Sequence, residues 1–233
     1  MNGLVIFDVD GTLTETLDID DSSWQEAGQE VLGLEKINTD WGVYEHSTDE
    51  AVVSQLIREQ TNLPVDEGII HRFRDRIHEL LRAAAQDSRC IQPKPGAQVL
   101  FSALEDAGWA AAIATGGWEV NARFKLQQAG VCIDGIPAAF AEDAWPREDL
   151  IRLAQERASQ QYGENFDSIV YVGDGVWDMA AASLAGTGFI GIGTGEKKSL
   201  LQKEGASAVL PDFLDSGVFI DAVERASRAI SAG

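Results

Sequence analysis

The chain has 233 residues, 45% of them hydrophobic and 24% charged, the balance of an ordinary globular protein with one or two domains. Lys and Arg number 18 against 38 Asp and Glu, a formal charge of −20. So acidic a surface argues against nucleic acid or an anionic membrane as partner, and any anion site must bring its own donors and a metal. The two cysteines, Cys90 and Cys132, fit no metal spacing and are expected to be reduced thiols of a cytoplasmic protein. No basic leader, long apolar run or lipidation motif stands out.

The run Leu4-Val5-Ile6-Phe7 reads as a strand buried on both faces, as in a parallel sheet. Residues 15 to about 92 then offer helical patterns and no convincing strand. Ser22-Ser23-Trp24-Gln25-Glu26 has the chemistry of a helix start, and Thr48-Asp49-Glu50 opens a second helix to about Gln60. Ile69, Ile70, Phe73, Ile77, Leu80, Leu81 and Ala84 keep one apolar face over a third. Pro93-Lys94-Pro95-Gly96 closes this block. Beyond it strands and helices alternate. Strands are expected at Ala110–Ala114, Ala138–Ala141, Ser168–Val172, Phe189–Ile192 and Ala208–Leu210. Helices are expected from Ala97, from Glu119, from Pro146 to about Tyr162, around Met179 to Leu184, between the last two strands, and to about Ile230. The fold class is therefore α/β, a Rossmann-like parallel sheet with helices on both faces and an inserted all-α cap. Residues 1–14 and 93–233 make the core and 15–92 the cap.

Polar residues gather where these strands end. Asp8 and Asp10 lie two apart on an extended segment and so point the same way, at the edge where open α/β sheets bind ligands. Two adjacent carboxylates repel, and a cation or a shared proton relieves them. Thr115-Gly116-Gly117 places a hydroxyl and bare N–H groups at a strand-to-helix turn, suited to phosphate oxygens. Asp174 and Asp178 follow the strand ending at Gly173. Four acids on one small volume form an oxygen-only set that suits Mg²⁺.

The run Asp8-Val9-Asp10-Gly11-Thr12-Leu13-Thr14 resembles the first motif of the haloacid dehalogenase-like hydrolases, most of which are phosphatases. Thr115-Gly116 resembles their second motif and Gly173-Asp174-Gly175-Val176-Trp177-Asp178 their fourth, in the same order. The resemblance implies that Asp8 is a nucleophile forming an aspartyl-phosphate, and that Asp10 is the general acid and then base. It also implies Mg²⁺ held by Asp8 and Asp174 side chains and the Asp10 carbonyl, with Asp178 either ligating or orienting a metal-bound water. The lysine usual at the third motif is missing. Arg147, just after Pro146, is its natural occupant or else a first-turn surface residue.

The helical block resembles the cap of the phosphoglycolate-phosphatase-like branch. In its connector Tyr44–Asp49, His46 is either a substrate contact or a loop residue. Arg58, Arg72 and Arg76 read as solvated helix faces, and Trp118 and Trp177 as pocket wall or core. The function implied is hydrolysis of a small phosphorylated metabolite by a cytoplasmic monomer or weak homodimer. A sugar phosphomutase, or a binding protein on the same scaffold, is the alternative. A dehalogenase would have no use for Asp10 and the acidic cluster, and a phosphonatase typically lacks an acid at the Asp10 position.

Overall fold

The computed structural model describes residues 1–86 and 91–231. Its first elements are β1 (Gly3–Phe7), β2 (Thr14–Glu15), α1 (Leu17–Ala27), α2 (Asp49–Gln60), α3 (Glu67–Ala84) and β3 (Gln92–Pro93). There follow α4 (Ala97–Asp106), β4 (Trp109–Ala114), α5 (Glu119–Gln128), β5 (Ala138–Ala139), α6 (Arg147–Tyr162) and β6 (Ile169–Gly173). The last are α7 (Val176–Ala185), β7 (Gly188–Ile192), α8 (Gly195–Lys203), β8 (Val209–Leu210) and α9 (Ser216–Ser231). Six strands form one sheet in the order β5-β4-β1-β6-β7-β8, all neighbours parallel.

The alternation of side chains along each strand builds two cores. Val5 and Phe7 of β1, Ile113 of β4 and Val172 of β6 face α4, α5 and α9 on one side. Leu4, Ile6, Ala112 and Tyr171 face α6 and α7 on the other. A third apolar cluster holds the helical block together, with Trp24, Val53, Leu56, Phe73 and Leu81 at its centre. Trp118, at the start of α5, is fully buried in this cluster and stacks on Trp24 at a centroid distance of 6.0 Å. It is therefore core, whereas Trp177 lines the cavity described below.

The structure corrects several expectations. α1 begins at Leu17, not near Ser22; the Ser22 hydroxyl instead donates back to the Ile19 carbonyl, as a serine inside a helix does. α1 runs on into a π-helical stretch, Gly28–Leu32. α7 begins three residues before Met179, and β5 ends at Ala139. The segment expected to lack strands has two short ones at its edges. β2 and β3 pair antiparallel, Thr14 with Pro93 and Glu15 with Gln92, so both passages of the chain between sheet and helical block lie side by side. Arg76 is an ion-pair hub, bonded to Glu26, Glu30 and Glu79 and tying α3 to the end of α1. Cys132 is free and exposed, and Cys90 lies outside the described residues. Among the described residues no helix is long and apolar enough to cross a membrane.

Candidate active site

Strand register assembles the site. Phe7 pairs with Ile113 of β4 and with Val172 of β6, so the three central strands end level. Asp8, Thr115 and Asp174 emerge together at that edge, and all three are buried. Gly11 turns the chain away from Asp8 with φ +74°, and a Cβ there would collide with the Asp174 carboxylate. Both demands exclude any other residue.

Asp8, Asp174 and Asp178 each offer a carboxylate oxygen within 4.8 Å of the others. Burial pushes the Asp8 carboxyl up to about 7, with the Asp178 charge adding and Arg147 opposing. Burial likewise pushes Asp174 up to about 6, with Lys197 opposing. Carboxylates whose ionisation burial resists are stabilised by a cation among them. This buried all-oxygen set could hold a metal and fits a hard divalent ion such as Mg²⁺. Asp178 is engaged most fully. Its Oδ2 accepts from the N–H groups of Asp174 at 3.0 Å and Gly175 at 2.9 Å, and its Oδ1 accepts from Arg147 at 3.0 Å. Lys197 of α8 forms an ion pair with Asp174.

Arg147, the first residue of α6, turns its guanidinium inward. Its Nη1 donates to Asp8 Oδ1 and Asp178 Oδ1, both at 3.0 Å. Its Nη2 donates to the Ser47 carbonyl at 2.7 Å and its Nε to the Ser47 hydroxyl at 3.2 Å. Gly116 lies against this pair, where a Cβ would overlap both Arg147 and the Ser47 carbonyl. The Gly116 carbonyl accepts from Asp49 N at 2.7 Å. The Thr115 hydroxyl accepts from Gly117 N at 3.2 Å. The helical block thus touches the turn after β4 directly.

One cavity brings Asp8, Asp10, Asp174, Arg147, Thr115 and Gly116 together. Ser47 and Thr48 line it too. His46 does not; it faces an adjoining cleft with Tyr44, Trp177 and Leu184.

Sequence alone assigns no site role to Asp20, Asn121 and Lys125 of this cavity, and marks Asp49 only as a helix start and connector residue. Lys125 of α5 is 4% exposed, with Nζ 2.6 Å from Asp10 Oδ1 and 2.9 Å from Asp20 Oδ1. Burial opposes its charge, but Asp10 and Asp20 overcome that and raise its pKa. The Asp10 carboxylate also accepts from the Thr16 hydroxyl at 2.9 Å. Asp49 Oδ2 accepts from Trp118 N at 3.0 Å, and burial pushes its carboxyl up to about 8. Asn121 lies one turn before Lys125, and its Oδ1 is 3.0 Å from His78 Nδ1. A signal was present: Ala122, Lys125, Leu126 and Ala129 share one helix face, and a lysine on an apolar stripe asks for a buried partner.

Residues 3–186 match the family model of haloacid dehalogenase-like hydrolases, and the chain belongs to that family. Solved structures agree in fold. A hydrolase from Pseudomonas syringae is 23% identical with a TM-score of 0.72, over 94% of this chain and 98% of the other. CbbY from Rhodobacter sphaeroides, in complex with phosphate, is 22% identical with a TM-score of 0.69, over 93% and 97%. A predicted phosphoglycolate phosphatase from Haemophilus somnus is 19% identical with a TM-score of 0.65, over 94% and 97%. At these identities the likeness is one of fold. No curated protein matches the chain.

Proposed function

We propose that the chain is a Mg²⁺-dependent phosphatase that hydrolyses a small phosphomonoester through an aspartyl-phosphate on Asp8. The observation that carries this reading is the buried Arg147 guanidinium, bonded at 3.0 Å to both Asp8 and Asp178 beside Asp174. Phosphoryl transfer needs a positioned nucleophile, neutralised charge and a proton source, and little else from the protein. In this reading an Asp8 oxygen attacks phosphorus in line with the leaving oxygen, and the P–O bond to the leaving group breaks. Asp10 gives that oxygen its proton. Asp10 then takes a proton from water, which attacks the aspartyl-phosphate, releases inorganic phosphate and restores Asp8.

Arg147 fills the third-motif role, holding Asp8 in place and drawing charge from the phosphoryl oxygens. The Thr115 hydroxyl and the Gly116 N–H bind those oxygens. Asp8, Asp174 and the Asp10 carbonyl would hold Mg²⁺, which would supply charge neutralisation when bound. Asp178, whose oxygens already accept four hydrogen bonds, from Arg147, Tyr171, Asp174 N and Gly175 N, orients its neighbours rather than ligating. The helical block serves as a cap of the phosphoglycolate-phosphatase-like type. The enzyme works in the cytoplasm as a monomer or weak homodimer.

Phosphate release from acetyl phosphate and an aryl phosphate, with and without Mg²⁺, tests the proposal. Metal-dependent release is expected. A phosphomutase would isomerise a sugar phosphate with no net release. A folded protein inert towards every ester would be a binding protein on this scaffold.

A further inference from the structure

Besides Asp8 and Asp10, the cavity is lined by Leu17, Asp20 and Trp24 of α1, Val52 of α2, Ile77 of α3, and Asn121 and Lys125 of α5, which together form its helical lobe. Two of its side chains are buried with an atom that has no hydrogen-bond partner: Asp20 Oδ2 and Asn121 Nδ2. Asn121 is 2% exposed and Asp20 9%. Buried polar atoms are nearly always paired, because an unpaired one has lost its water without gaining a partner. Two such atoms in one lobe, one a donor and one an acceptor, call for a ligand group that both accepts and donates. Lys125 joins them, since it bonds Asp20 and lies one helical turn from Asn121 on the same face of α5.

Charge narrows the choice. The cavity's two cations are both engaged, Lys125 with Asp10 and Asp20, and Arg147 with Asp8, Asp178 and Ser47. A second anion on the substrate, whether carboxylate or phosphate, finds no free cation among the described residues lining the cavity. An ammonium group would lie beside the Lys125 ammonium and leave the Asn121 donor without an acceptor. A hydroxyl satisfies both orphans, and Leu17, Trp24, Val52 and Ile77 supply apolar wall for the carbon skeleton.

We propose that Asp20, Asn121 and Lys125 form the leaving-group subsite, and that it takes an uncharged, hydroxyl-bearing alcohol whose hydroxyl donates to Asp20 Oδ2 and accepts from Asn121 Nδ2. This deepens the phosphatase reading and rests on it for the position of the leaving oxygen, at Asp10. It separates the chain's substrate from phosphoglycolate and from bisphosphates, each of which presents a second anion.

Three small esters that differ in the end remote from phosphate test the subsite. These are glycerol 3-phosphate, 3-phosphoglycerate and phosphoethanolamine, with acetyl phosphate as a reference that needs nothing from the lobe. The expected kcat/KM for glycerol 3-phosphate exceeds those of the other two by about ten-fold or more. Asn121→Asp keeps the shape and the acceptor facing His78 but removes the donor. It should lower kcat/KM for glycerol 3-phosphate about ten-fold more than for acetyl phosphate. Asn121→Ala, matched for melting temperature, should do the same. Preference for 3-phosphoglycerate or phosphoethanolamine, or equal losses on both substrates in both variants, overturns the subsite. Calorimetry on the Asp8→Asn protein reads the same selectivity without turnover. If acetyl phosphate is not hydrolysed yet glycerol 3-phosphate binds more tightly than 3-phosphoglycerate, the phosphatase reading falls and the subsite stands. If neither preference is found by calorimetry, the subsite falls.

Discussion

The Lys125 ammonium lies 2.6 Å from Asp10 Oδ1, so a lysine from the middle of α5 is bonded to the carboxylate placed to serve as acid and base. The pair is buried on the lysine side and shared with Asp20 at 2.9 Å. Removing one partner of a buried ion pair strands the other charge, which costs about 3–5 kcal/mol. Lys125→Met should therefore lower the melting temperature by about 6–20 °C in a chain of this size. Lys125→Arg should recover part of the loss. Thermal unfolding followed by circular dichroism measures both, and an unchanged midpoint for Lys125→Met would show that the pair adds nothing to stability.

Asp8→Asn should reduce phosphate release to below about one-thousandth of wild type, as expected when a nucleophile is removed. Its melting temperature should not fall. The amide replaces a carboxyl that burial already pushes up to about 7, so the substitution removes a group that ionises at a cost. Residual turnover near the wild-type rate would take Asp8 out of the mechanism.

Chelator should abolish phosphate release and added Mg²⁺ restore it. Mg²⁺ at one hundred times its dissociation constant should also raise stability by about 2.7 kcal/mol, because the ion binds only the folded chain. That corresponds to about 5–11 °C in melting temperature. Asp174→Asn should weaken this stabilisation, since it removes one of three converging carboxylates.

Arg147 and Arg152 lie on the same helix and make a matched pair of tests. Arg147 is bonded to Asp8 and Asp178. Arg152 meets Asp149 and the Leu184 carbonyl at the surface. Arg147→Ala should cost about 10²–10³ in kcat, the scale of losing a donor aimed at developing charge, and Arg152→Ala less than about two-fold. Arg147→Lys should keep part of the activity, because the charge survives while the fork is lost. Equal small losses at both positions would leave the cation role unfilled.

Asp49 gives a pH signature. Burial raises its carboxyl to about 8 from an ordinary 3.8. A raised carboxyl contributes stability that is complete below the unfolded pKa and is lost as pH rises through the folded one. The loss thus accumulates between about pH 4 and pH 8. Asp49→Asn imitates the protonated form and can still accept from Trp118 N. Its melting temperature relative to wild type should rise by at least about 3 °C between pH 5 and pH 8.5. A difference that stays flat across that range would mean that Asp49 is ionised throughout.

The parts legible in the sequence are those with local causes. Leu4–Phe7 announces a buried strand, Asp8 and Asp10 must share a side, and Gly173-Asp174 marks where another strand stops. The helix starts at Asp49, Ala97 and Glu119 were legible for the same reason. What stayed hidden depends on partners distant in the chain. Asp20 and Lys125 are 105 residues apart, and neither residue type alone signals burial. The start of α1 is hidden because Thr16, the residue before it, gives its hydroxyl to Asp10 and makes no cap bond. A side chain recruited by the site no longer marks the helix end. In the connector Tyr44–Asp49, Ser47 meets Arg147, while His46 lines the adjoining cleft.

The antiparallel ribbon of Thr14–Glu15 with Gln92–Pro93 has a mechanical consequence. Two separate tethers at opposite corners would fix the orientation of the helical block against the sheet. Here both tethers are laced together, and Lys94 N reinforces the lacing by donating to the Leu13 carbonyl at 2.9 Å. A body held along one short edge has one easy motion, a swing about that edge, much as a door has. Such a swing leaves the sheet intact and parts the contacts between block and sheet side, the seat of Trp118 in the block's apolar cluster included. Among those are the bonds from Arg147 to Ser47 and from Asp49 to Gly116. Admission of a molecule to the cavity and release of the Arg147 guanidinium from its backbone partner are then the same event.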